Sequence, residues 1–97
     1  MRRNVFITQS RLRGYIQKYT DNSYILDTCM RVSGQLVGFS SVETRDFYKE
    51  DRQFMKRLRK VSNDRIDNVA LTMQHPFVGS EVKRIIKSVK EDLRNMA

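Results

Sequence analysis

Among its 97 residues the sequence holds one cysteine, one histidine, one proline and no tryptophan. Cys29 has no second cysteine with which to form an internal disulfide, a usage that fits a reducing compartment. One cysteine and one histidine are also too few for a zinc site, which needs three or four ligands. Asp64 and Asp67 stand three apart on a candidate helix, where capping and surface roles are the expectation rather than magnesium binding. Glycines are scattered at 14, 34, 38 and 79 and form no phosphate-cradling loop, so no nucleotide site follows. No cofactor and no metal are expected.

Long apolar runs are missing as well. Nothing approaches the ~18–20 apolar residues of a membrane span. Val5, Phe6 and Ile7 after Arg2 and Arg3 are too short a stretch for a signal segment. The expectation is an intracellular, cytoplasmic protein with no membrane partner. Catalysis lacks its materials too. General acid–base work wants a titrating group beside a second polar partner, and His75, next to Pro76, has none in the local sequence. Cys29 sits in an apolar pattern that suits a small buried hydrophobe better than a nucleophile. The chain is expected not to be an enzyme.

Acids are in short supply: 11 against 19 bases, for a net charge of +8 and a pI near 10.1. The first eighteen residues contain no acid at all. A charge so far from zero bears on partners rather than on fold, and points to nucleic acid, an anionic membrane or an acidic protein surface. Arginine outnumbers lysine by 12 to 7, a balance suited to bidentate recognition of phosphate or carboxylate.

What the chain does contain centres on Ser40 to Val61. Ser40 and Glu43 have the spacing of a capping box. Phe47, Phe54, Leu58 and Val61 then fall on one helical face. Charge is segregated along this stretch: four acids and two bases from Glu43 to Asp51, then five bases and no acid from Arg52 to Lys60. The helix dipole favours that polarity, which is a sufficient structural reason for it. The functional reading is a cationic end, Lys56, Arg57, Arg59 and Lys60, that meets phosphate or an acidic partner.

Around this helix the periodicity predicts the order β-α-β-β-α-α-α. Asn4 to Thr8 reads as a strand, and Leu12, Tyr15, Ile16 and Tyr19 as one face of a following helix. Tyr24 to Val32 and Gln35 to Phe39 read as a hairpin turning at Ser33-Gly34, with Gly38 a bulge or a close backbone approach. Arg65 to Met73 reads as a helix, Gln74 to Gly79 as a loop, and Ser80 as the cap of a last helix. That last helix carries a stripe of Val82, Ile85, Ile86, Val89, Leu93 and Met96, opposite Lys83, Arg84, Lys87, Lys90 and Arg94. The expected architecture is a single α+β domain spanning residues 1–97, a small antiparallel sheet packed by three to four helices.

Two functions are carried forward. The first is a nucleic-acid-binding protein, for DNA or RNA, that contacts phosphates through Lys56, Arg57, Arg59 and Lys60, with Arg11, Arg13, Lys83, Arg84 and Lys87 nearby. Tyr15, Tyr19, Tyr24 or Tyr48 would stack on unpaired bases if exposed. The second is an accessory modulator or inhibitor, of the kind phages and mobile elements encode. It would dock on an acidic surface of a larger DNA- or RNA-processing enzyme, with His75, Pro76 and Phe77 as a partner-anchor loop. In the purely structural alternative, Phe77 folds back on the core.

Overall fold

The segment expected to form the hairpin is a helix. Asn22 caps it, its side chain accepting a hydrogen bond from the Ile25 N–H at 3.0 Å. Ile25, Leu26, Cys29, Val32, Ser33 and Leu36 are all buried, and they recur with the 3.6-residue period of one helical face. Leu26, Thr28, Met30 and Val32 stand at alternate positions in a stretch rich in β-formers, which is the pattern of a strand. Tertiary burial along the helical stripe overrides that propensity. Thr28 fits because its Oγ1 donates to the Tyr24 carbonyl one turn back, at 2.7 Å. Gly38 is no bulge. It ends the helix in the left-handed conformation at φ 76°, its N–H reaching the Gln35 carbonyl at 3.2 Å.

The computed structural model describes residues 12–38 and 47–96. Among the described residues five helices follow in order: α1 over residues 12–17, α2 Ser23–Val37, α3 Phe47–Lys60, α4 Asn63–Leu71 and α5 Pro76–Met96. Among the described residues there is no strand, so the α+β expectation is replaced by an all-helical fold. The strand expected at Asn4 to Thr8 and the capping box of Ser40 and Glu43 lie outside the described residues.

Helix α5 packs against α2, α3 and α4 and organises the core. Its Val82, Ile85, Ile86, Val89 and Leu93 are buried as the stripe predicts, whereas Met96 is exposed. Phe54, Leu58 and Val61 bring α3 onto the same core. Leu12 and Ile16 seat α1, and Tyr15 on it and Tyr19 in the turn after it tie this segment to the end of α5. The Tyr15 hydroxyl donates to Met96 Sδ at 2.9 Å, and the Tyr19 hydroxyl to Asp92 Oδ2 at 2.6 Å.

Helix α5 also begins a turn earlier than Ser80. Pro76 is its first residue, a position where the missing N–H costs nothing and the fixed φ is already helical. The His75 carbonyl accepts the first helical hydrogen bond, from the Gly79 N–H at 2.9 Å. Gly79 is buried where α5 crosses the end of α4, and a Cβ there would lie 2.6 Å from the Ala70 carbonyl oxygen. Backbone sits on both sides of that contact, so neither helix yields cheaply.

Gly79→Ala is therefore expected to destabilise the fold by about 1–3 kcal/mol, the usual cost of overpacking. Gly14→Ala, in α1 with nothing within 4 Å of the added carbon, should instead stabilise by about 0.5–1 kcal/mol. Urea denaturation of the two variants checks the pair; equal midpoints would sink the close-crossing account.

Candidate functional site

The last two turns of α3 are basic because the sequence from Arg52 to Lys60 has no acid. Burial of Phe54, Leu58 and Val61 orients this end of the helix. It leaves Lys56, Arg57 and Lys60 exposed and Arg59 half-buried. Among the described residues, none of these four bases takes part in an ion pair.

Four of the other nominated bases have a carboxylate within 4.0 Å. Arg13 lies 3.5 Å from Asp27, and Arg84 lies 2.8 Å from Glu81 one turn before it. Lys87 and Lys83 share Asp67 across the α4–α5 interface, at 2.7 and 4.0 Å. Arg11 lies outside the described residues. The pairing is visible in protonation as well. The Lys87 ammonium holds the Asp67 carboxyl below its ordinary value of 3.8. The Tyr19 hydroxyl and then Lys18 do the same for Asp92, which in turn raises Tyr19 above its ordinary 10.0.

Two bases that the sequence reading left out of its site join α3. Lys90 and Arg94 of α5 line one cleft with Arg59, Lys60, Val61 and Ser62, a depression of about 420 Å³ with no carboxylate in its wall. Arg94 is 3.7 Å from Glu91, but both side chains are more than half exposed and such a pair is weak. Lys90 is only 7% exposed, and its Nζ donates to Asn63 Oδ1 at 2.8 Å. The sequence signal for this was present: Lys90 lies four residues after Ile86 and flanks the buried stripe rather than opposing it.

The expected partner-anchor loop is instead the start of α5. His75 lines a groove of about 340 Å³ with Tyr24, Arg31, Gln35 and Gln74. Phe77 does not fold back on the core. It is 72% exposed, close in sequence to Leu71, which is 79% exposed and lines a neighbouring depression with Pro76. Of the tyrosines considered for base stacking, Tyr15 and Tyr19 are half-buried with their hydroxyls engaged, and Tyr24 is exposed.

Cys29 is fully buried, and burial pushes its thiol up to about 12. The charged groups that act on it are Arg84 and Glu81, not His75. A thiol so protonated at neutral pH is not an active nucleophile. Among the described residues no group of three or more His, Cys, Asp or Glu is placed to hold a metal, and no helix is long and apolar enough to cross a membrane. No protein-family model, curated protein or solved structure matches this chain.

The two depressed carboxyls give a prediction about acid. A lowered folded-state pKa contributes stability that is full above the ordinary value of 3.8 and is lost as pH falls through the lower folded value. Asp67→Asn and Asp92→Asn should each make the thermal midpoint less sensitive to pH below about 4. Wild-type and variant melting curves from pH 6 down to 2 measure this, and parallel curves would contradict it.

Proposed function

We propose that this chain is a small non-enzymatic nucleic-acid-binding domain that contacts phosphates through the basic end of α3. One observation carries the reading. Lys56, Arg57, Arg59 and Lys60 are unpaired among the described residues, whereas Arg13, Lys83, Arg84 and Lys87 each have a carboxylate within 4.0 Å. Bases without partners keep their charge available to a ligand, and nucleic-acid phosphates gain affinity from each such base through counterion release. The contacts of this reading go to the backbone of the nucleic acid, so binding is governed by salt more than by base sequence.

Reversing Arg57, Arg59 and Lys60 together to Glu should abolish oligonucleotide binding while helical circular dichroism is kept. In the wild type, log affinity should fall with log salt by about 0.9 per phosphate contact on duplex DNA. Fluorescence anisotropy at several salt concentrations measures both. A folded triple variant that bound as tightly as the wild type would remove α3 from the interface.

A second reading is favoured by the exposure of Leu71 and Phe77 beside Pro76. On this reading the elbow between α4 and α5 docks the chain, as a modulator, on a larger nucleic-acid-processing enzyme. An exposed aromatic side chain on the first turn of a helix is a suitable anchor for a desolvated interface centre. Phe77→Ser should then abolish a nuclease-resistant protein complex in a pull-down and leave oligonucleotide affinity unchanged. Retention of that complex by the Ser variant would exclude the elbow as the docking surface.

A further inference from the structure

Lys90 is placed unlike any other described base. It is buried to 7% exposure on a helix whose remaining bases reach solvent or a carboxylate, and its Nζ meets the neutral Asn63 Oδ1. No carboxylate pairs with it among the described residues. Its stem is covered by the core while its charged end opens on a cleft lined by other bases, so no counter-charge within the described residues offsets the repulsion.

Its surroundings add positive charge. Asn63 is the first residue of α4, and a helix N-terminus carries partial positive charge with backbone N–H groups that lack intrahelical partners. Ser62 Oγ satisfies one of these, accepting from the Arg65 N–H at 3.2 Å. Arg59 and Lys60 reach the same cleft from the end of α3, and Arg94 from the turn of α5 after Lys90. The dipole at the end of α3 accounts for Arg59 and Lys60, but it offers no reason for a buried Lys90 at the opposite pole of α4. Asp64, the acid next in sequence, is exposed, forms no ion pair among the described residues and does not line the cleft. An anion with several acceptor oxygens would relieve all of these like charges together.

We propose that the cleft between α3, α4 and α5 is a seat for one phosphate group, with Lys90 as its deepest cation. The guanidinium of Arg59 or Arg94 supplies a planar fork for two phosphate oxygens, and Lys60 and Lys90 supply point charges. The source of the phosphate rests on the nucleic-acid reading above: a strand places one phosphate here and sets its register, while Lys56 and Arg57 meet its neighbours. A free phosphate monoester has the same chemistry.

The test compares the wild type with Lys90→Met, which keeps the buried stem, and with the more exposed Arg94→Gln. Each is titrated with inorganic phosphate under 1H–15N NMR. Each is also titrated with a 3′-labelled single-stranded oligonucleotide with and without a 5′-phosphate. Phosphate is expected to shift the amides of Ser62, Asn63 and Asp64 in the wild type and not in Lys90→Met. Oligonucleotide affinity should fall about tenfold in Lys90→Met, with the salt slope reduced by about 0.7, one single-strand contact. The same variant should melt at a higher temperature, because three like charges then line the cleft in place of four. A wild-type preference for the 5′-phosphorylated strand identifies a terminal phosphate as the occupant, and equal binding identifies an internal one. A Lys90→Met protein that melted lower and bound both probes like the wild type would overturn the seat and leave Lys90 a structural strut to Asn63. Phosphate shifts without any oligonucleotide binding would uphold the seat and sink the nucleic-acid reading. Oligonucleotide binding insensitive to both substitutions would do the reverse.

Discussion

Burial of one face of α5 is the constraint on which the rest depends. A 21-residue helix with Val82, Ile85, Ile86, Val89 and Leu93 on one side needs apolar cover along most of its length. Helices α2, α3 and α4 supply that cover, while α1 and the turn after it are tied to its far end through Tyr15 and Tyr19. The crossing of α4 over the first turn of α5 is tight enough that only a hydrogen fits at Gly79. A chain this small has one thin core, so a single misplaced crossing affects every helix.

The same packing sorts the charges. Arg13 on α1, Lys18 just after it, and Lys83, Arg84 and Lys87 on α5 are met by an acid on a neighbouring helix or one turn away. Asp27, Asp67, Glu81 and Asp92 each serve one or two of them. The net charge of +8 is thus unevenly expressed: residues 52–60, ending α3, hold five bases and no acid, and Lys56, Arg57, Arg59 and Lys60 among them are unpaired among the described residues. Concentrated positive potential of this kind steers anionic partners toward one face and raises their encounter rate, more strongly at low salt.

Legibility differed from element to element. The stripe of α5 and the seats of Leu12 and Ile16 were plain in the sequence because the apolar period was unambiguous. The segment from Tyr24 to Phe39 was not, since Ile25, Leu26, Cys29, Val32, Ser33 and Leu36 fit a helix while Leu26, Thr28, Met30 and Val32 fit a strand. A short run rich in β-branched and aromatic residues satisfies both periods, and neighbours decide between them. Asn22 and Gly38, a cap and a left-handed terminus at a helix-like separation, were the local signs that favoured helix. Pro76 misled in a similar way. It discourages helix before it and begins one readily, so His75 rather than Ser80 marks the entrance to α5.

The composition alone determined the absence of an internal disulfide, the shortage of metal ligands and the excess of base, because these need no geometry. The candidate bases of α3 were likewise visible in the acid-free run from Arg52 to Lys60. Tertiary structure decided which of the nominated bases remain unpaired, since an ion pair such as Lys87–Asp67 joins residues on different helices. It also decided that Lys90 turns inward to Asn63 and meets Lys60 and Arg59 in one cleft. Position along a helix sets the face on which a charge stands; the neighbouring helices set whether that face is solvent, partner or pocket.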